Sequence, residues 1–156
     1  MPSDVLLVGI ATLGVTLAGF AGVVAVFRAD DTWTDVHAFR LRVLVRNSLG
    51  VMFMALLPLV YLAGLEDDRA AIGAASGTAA AWMALTVFQL QRQWLRIHGG
   101  SRNPANVISS ALAVLATVLF ALNAVSLDRA WPYVVALCLV LLTAALAFQR
   151  MIGVRR

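Results

Sequence analysis

Five stretches of this sequence carry no charged residue and are long enough to cross a membrane. They cover residues 5–27, 47–65, 70–90, 107–127 and 131–149. A helix needs about 20 mostly apolar residues to span the hydrocarbon core. Only 13% of the residues are charged and 62% are hydrophobic, whereas soluble domains carry about 25% charged residues. The sequence therefore predicts an all-α polytopic membrane protein with five transmembrane helices in a single transmembrane domain, residues 1–156.

The arginines are divided unevenly between the two sides that five spans create. All twelve basic residues are arginines, and only Arg69 and Arg129 fall on the side of the N-terminus. Basic loops stay in the cytoplasm, so we predict that the N-terminus lies outside and the C-terminus in the cytoplasm. The first span has no basic leader and is expected to be retained. Arginine without lysine, together with abundant alanine, is typical of GC-rich bacterial genomes, which favours a bacterial inner membrane.

Spans two and three resemble spans four and five. Asp68-Arg69-Ala70 recurs 60 positions later as Asp128-Arg129-Ala130, and Phe88-Gln89 recurs as Phe148-Gln149. Coincidence under shared membrane constraints is the alternative explanation. If the repeat is real, the fold is one helix followed by two repeated helical hairpins.

The first hairpin is predicted to continue into the cytoplasm. Thr32 and Asp35 resemble a capping box, and no Gly or Pro interrupts the chain from there to Gly50. The third span continues to Gly99-Gly100, where a helix end is expected. Residues 33–46 with 91–98 should therefore form a short helical extension, with a cytoplasmic basic face made of Arg40, Arg42, Arg92 and Arg96.

The five spans contain no Asp, Glu, Lys, Arg or His. Proton-coupled transporters need ionisable groups at membrane depth, and most intramembrane enzymes need a nucleophile with a base or a metal. The lone cysteine, Cys138, excludes an internal disulfide and a thiolate metal cluster. We therefore predict that the protein is not an enzyme and uses no cofactor or metal.

Small residues recur at helix-packing spacing in two spans. Gly14, Ala18 and Gly22 lie in the first span, and Gly73 and Gly77 lie in the third. Such patterns let helix backbones approach closely in lipid. Two glycine faces in a five-helix protein favour a homo-oligomer.

A few polar side chains are candidates for lining a pore. They are Arg46, Asn47, Ser48, Ser76 and Gln89. The arginines near them have two explanations. They either set the topology and contact anionic lipids, or form a basic mouth that concentrates anions ahead of a neutral pore.

The function predicted first is a homo-oligomeric ion channel or pore with an arginine-rich cytoplasmic mouth that prefers anions. The alternative is a non-catalytic scaffold, sensor or accessory subunit that docks a cytoplasmic protein on the helical extension. A transporter or membrane enzyme is the third class. The expected partners are membrane lipids, including anionic lipids at the cytoplasmic face, and further copies of the chain. No nucleic-acid-binding module accompanies the basic charge, so no nucleic acid is expected.

Overall fold

The computed structural model describes residues 2–27, 35–98, 104–127 and 129–152. These residues form five helices and contain no strand, which confirms the predicted all-α class. Each helix includes a stretch that is long and apolar enough to cross a membrane. The helices are α1 (Pro2–Phe27), α2 (Asp35–Gly64), α3 (Asp68–His98), α4 (Pro104–Leu122, continued by a π-helical segment, Asn123–Leu127) and α5 (Ala130–Ile152).

The helix ends follow local sequence signals. Asp67 precedes α3, and its carboxylate accepts a hydrogen bond from the backbone N–H of Arg69 at 2.9 Å. This bond satisfies one of the free donors at the start of the helix. α4 begins with Pro104, whose missing N–H costs nothing in a first turn. α3 ends at His98, directly before two glycines in the sequence.

Four of the helices form a closed ring. α2 packs on α3, α3 on α4 and α4 on α5, and α5 returns to α2, whereas the backbones of α2 and α4 stay apart within the described residues. α1 lies outside this ring, mainly against α2 and to a lesser extent against α5. The main core fills the ring and extends to α1 through Leu7, Ile10 and Ala11. Its residues inside the ring include Val51, Met54, Ala75, Ala79, Met83, Ala116, Phe120, Tyr133, Leu137 and Val140.

The two ends of the bundle differ in their charged residues. We call the end where α2 begins and α3 and α5 finish the arginine end, because Arg40, Arg42, Arg92, Arg96 and Arg150 lie there. The opposite end, where α2 turns into α3 and α4 turns into α5, is called the turn end. Several residues of the predictions lie outside the described residues, namely positions 33 and 34 of the extension and Arg28, Arg102, Arg155 and Arg156.

Pro58 lies inside α2 and is buried in the bundle. Proline has no N–H, so the carbonyl of Met54, four residues earlier, loses its helical partner. The Tyr133 hydroxyl of α5 donates a hydrogen bond to that carbonyl. The ring of Tyr133 also packs edge-on against Phe120, with ring centroids 5.1 Å apart. The turn end is therefore closed by a specific contact between α2, α4 and α5.

Candidate functional site

The seam between α2 and α3 at the arginine end carries two matched polar pairs. Arg42 donates a hydrogen bond to the Gln93 side-chain carbonyl at 3.1 Å, and Arg46 donates to that of Gln89 at 2.7 Å. Residues four apart lie on the same face of a helix, so the two pairs stack along antiparallel helices. Both partners are neutral, and neither guanidinium meets a carboxylate among the described residues. The two glutamines therefore orient both guanidinium groups without neutralising them.

The other residues of the predicted basic face contact neutral groups or are exposed. Arg40 donates to the backbone carbonyl of Arg150 at 3.4 Å. The Arg92 guanidinium lies 4.2 Å from the centre of the Phe88 ring, a cation–π contact. Arg96 is exposed. The arginine end is therefore a positively charged surface formed by three helices, α2, α3 and α5.

Aromatic rings support the same seam. Phe39 and Trp94 contact each other across α2 and α3, with centroids 5.7 Å apart. Trp82 lies further into the membrane-spanning part of α3, where its ring lies 5.7 Å from the Arg46 guanidinium and directly against Gly50. A side chain at position 50 would occupy the place of that ring. Gly50 thus allows a large ring to fit between two closely packed helices.

A buried polar layer lies just inside the arginine end. The side-chain amide N–H of Asn47 donates to the Thr143 hydroxyl of α5 at 2.9 Å, and Thr143 donates in turn to the Val140 carbonyl at 2.7 Å. Three buried atoms of this layer make no hydrogen bond to the described residues: Asn47 Oδ1, Ser48 Oγ and Thr86 Oγ1. A buried polar atom without a partner costs about 1–3 kcal/mol, so this layer is only partly satisfied.

A second buried polar layer lies near the turn end. The side-chain amide N–H of Asn123 donates to the Ser76 hydroxyl at 2.8 Å, and Ser76 donates to the Ile72 carbonyl at 2.7 Å. The Asn123 side-chain oxygen accepts from the backbone N–H of Arg129 at 3.2 Å. Every polar side-chain atom of this pair is therefore used. The layer fastens α3 to the π-helical segment and to the start of α5.

The five pore-lining candidates are distributed between these features. Asn47, Ser48 and Ser76 are buried within a single chain, while Arg46 and Gln89 are half-buried and bonded to each other. The structure brings Arg46, Asn47, Ser48 and Gln89 to one level of the bundle. It places Ser76 near the opposite end.

The predicted helix-packing residues occupy different environments. Gly14 packs so closely on α2 that an added Cβ would lie 2.6 Å from the Ser48 carbonyl oxygen. Gly22 faces open space, and a Cβ at Gly77 would make only an ordinary 3.9 Å contact with Ala124. Ala18 and Gly73 are half-buried. Among these glycines, close backbone approach is therefore seen at Gly14. Gly50, which makes room for the Trp82 ring, was not among the predicted positions.

Thr86, Thr143 and Asn123 were not among the predicted site residues, although they complete the two buried layers. The only sequence signal for them is a polar residue inside an apolar span, and the five predicted spans contain fifteen serines, threonines, asparagines and glutamines. Among the described residues, no group of three or more His, Cys, Asp or Glu side chains is placed to hold a metal ion. Comparison of the chain with protein-family models, curated proteins and solved structures gives no match.

Proposed function

We propose that this protein is a non-catalytic membrane scaffold or accessory subunit that docks an acidic protein partner at its arginine end. The observation that carries the proposal is the pairing of Arg42 and Arg46 with glutamines. Neutral partners hold the two guanidinium groups in place without cancelling their charge. A surface of arginines oriented by neutral partners favours carboxylate-rich proteins, because the planar guanidinium forms paired hydrogen bonds with carboxylates.

The unequal lengths of the helices support the same proposal. α2 and α3 have 30 and 31 residues, whereas α5 has 23. At 1.5 Å per residue, the first hairpin is longer by about 10 Å. The added length lies at the arginine end, where Arg42 bonds Gln93 and Phe39 contacts Trp94. A partner would therefore meet a preformed two-helix surface.

The proposed setting is a bacterial inner membrane, with the N-terminus outside and the arginine end in the cytoplasm. The distribution of the arginines supports this orientation, and anionic lipid phosphates are then the expected neighbours of the exposed arginines. The proposed hairpin repeat agrees with the ring, in which α2 lies opposite α4 and α3 opposite α5. A C-terminal reporter that is active only in the cytoplasm tests the orientation. An inactive fusion, together with activity of a second reporter that works only outside the cytoplasm, would reverse it.

Site-specific photo-crosslinking in the host membrane tests the docking proposal. A photoreactive residue replaces Leu95, an exposed position of the α3 extension, and in a control it replaces the exposed Glu66 at the turn end. We expect one protein adduct of defined mass from position 95 and none from position 66. The adduct should be lost when Arg42, Arg92 and Arg96 are changed to Gln, but not when Arg69 and Arg129 are. Adducts with lipid alone, or adducts that survive the first set of changes, would contradict docking.

A homo-oligomeric pore is the second candidate, and the partly satisfied layer around Asn47 is the observation that favours it. Within the described bundle, Met54, Met83, Phe120 and Leu137 fill the interior, so ions would need a path between subunits. Proteoliposomes with separate anion and cation gradients test this candidate. Flux above protein-free vesicles, with ion preference altered by Arg46→Ala, would favour the pore. Absence of flux at several voltages and pH values would contradict the pore and favour the scaffold.

A further inference from the structure

The buried layer at the arginine end contains a carbonyl oxygen that needs a hydrogen-bond donor. Asn47 is only 4% exposed, and its Oδ1 has no partner among the described residues. A serine or threonine hydroxyl in a helix can rotate to donate to a carbonyl of its own preceding turn. The oxygen of an asparagine amide can only accept. The backbone N–H groups around it are already used by the helices, so the donor must come from another group.

Thr86 lies at the same level of the bundle and faces the same interior. On α3 it lies between Gln89, which bonds Arg46, and Trp82, which packs on Gly50. These two contacts place Thr86 opposite the segment of α2 that contains Asn47.

The spacing of the neighbouring core residues gives both side chains their direction. Thr86 follows the core residue Met83 by three positions, and Asn47 precedes the core residue Val51 by four. Residues three and four apart share a helix face. Asn47 and Thr86 therefore both point toward the inside of the ring, yet they form no direct hydrogen bond with each other.

The charges and hydrogen-bonding groups of the layer indicate which kind of group can bridge Asn47 and Thr86. The Arg46 guanidinium, next in sequence to Asn47, repels a cation, and no described carboxylate lies in the layer to hold one. An anion would not donate to the Asn47 oxygen. The group must be neutral, small, and able both to donate and to accept. Water has these properties, and buried waters typically make two to four hydrogen bonds to otherwise unsatisfied groups.

We propose that a water molecule binds inside the bundle between α2 and α3, donating to Asn47 Oδ1 and accepting from the Thr86 hydroxyl. A water bridge of this kind is enthalpically close to a direct hydrogen bond. It joins the Asn47–Thr143 pair, which links α2 to α5, to α3, so that one polar layer links three helices. The proposal does not depend on docking.

Water-to-protein magnetisation transfer in solid-state NMR tests the water site on the native chain in lipid bilayers. With ¹⁵N-labelled asparagine, the side-chain amides of Asn47 and Asn123 are read in one sample. Both side chains are buried, but that of Asn123 is fully bonded to protein groups. We expect transfer to the Asn47 amide to build up several-fold faster than transfer to the Asn123 amide. Equal rates would overturn the proposal.

Two variants then test the bridge itself. Thr86→Val removes the hydroxyl and keeps the shape of the side chain, so it should slow transfer to Asn47 toward the Asn123 rate. Thr117→Val is the matched control, because Thr117 bonds only its own helix, at the Ala113 carbonyl, and lies on α4. Transfer to Asn47 should not change in this control. The amide spectra of both variants show whether they are folded. If the folded Thr86→Val variant has unchanged transfer to the Asn47 amide, the bridge is overturned.

Discussion

Among the residues whose side chains are described, Asn47 is buried near the arginine end and Asn123 near the turn end, and the two differ in how completely they are bonded. Asn123, near the turn end, uses both its amide nitrogen and its oxygen, and the nearby Tyr133 hydroxyl takes up the Met54 carbonyl that Pro58 leaves free. Asn47, near the arginine end, bonds Thr143 through its nitrogen, and its oxygen has no partner among the described residues. A fully bonded layer fixes the helices, whereas a partly bonded layer leaves capacity for a ligand. The polar groups near the turn end therefore hold the helices together, whereas those near the arginine end can still bind a further group.

The largest effect is expected from Gly50→Ala at the arginine end. The new methyl group would overlap the Trp82 ring, and overpacking of this kind lowers the free energy of unfolding by about 2–3 kcal/mol. Unfolding in mixed micelles with increasing SDS measures the change. Gly64→Ala is the matched control, because nothing lies within 4 Å of a Cβ there. Equal stability of the two variants would mean that the packing beside the polar layer is loose.

Asn123→Leu should lower the free energy of unfolding by about 2 kcal/mol, because the Arg129 N–H would lose its acceptor while Ser76 loses its tie to the π-helical segment. The same SDS titration measures it. A loss no larger than that of Asn47→Leu would remove the distinction between the two layers.

Tyr133→Phe should lower the free energy of unfolding by about 1–2 kcal/mol, because the Met54 carbonyl beside Pro58 would be left without a donor in the bundle interior. Tyr61→Phe is the control. The Tyr61 hydroxyl bonds Thr78 at 2.9 Å, but Thr78 also bonds its own helix at the Ala74 carbonyl. If both variants lose the same stability, the contact at the turn end has no special role.

The smallest effect is expected from Asn47→Leu. Thr143 keeps its bond to the Val140 carbonyl. The proposed water leaves together with the asparagine, and the Thr86 hydroxyl can then turn to a carbonyl of its own helix. Hydrogen bonds between membrane helices average about 0.6 kcal/mol, so the free energy of unfolding should change by less than about 1 kcal/mol. A loss as large as that of Asn123→Leu would show that the water bridge links the helices as strongly as the direct hydrogen bonds of Asn123.

Much of the fold follows from local features of the sequence. Long uncharged stretches predicted five helices, and each one is present. Span length and hydropathy are properties of a window of residues, so no knowledge of neighbouring helices is needed to find them. The start of α4 at Pro104 and the end of α3 before Gly99-Gly100 are local in the same way. The arginine-rich end could also be recognised, because the charge of a segment depends only on the residues of that segment.

The packing of the helices was decided only by the tertiary structure. Phe53 is 62% exposed and Phe120 is fully buried, although both are phenylalanines in apolar spans. Likewise, Gly14 packs against α2 and Gly22 faces open space. Lipid and protein interior are equally apolar, so the hydrophobic pattern does not distinguish the face of a membrane helix that packs against protein from the face that meets lipid. The sequence therefore determined where the helices are and which end carries the charge. Only their arrangement decided that Asn47 pairs with Thr143, and that its oxygen has no partner among the described residues.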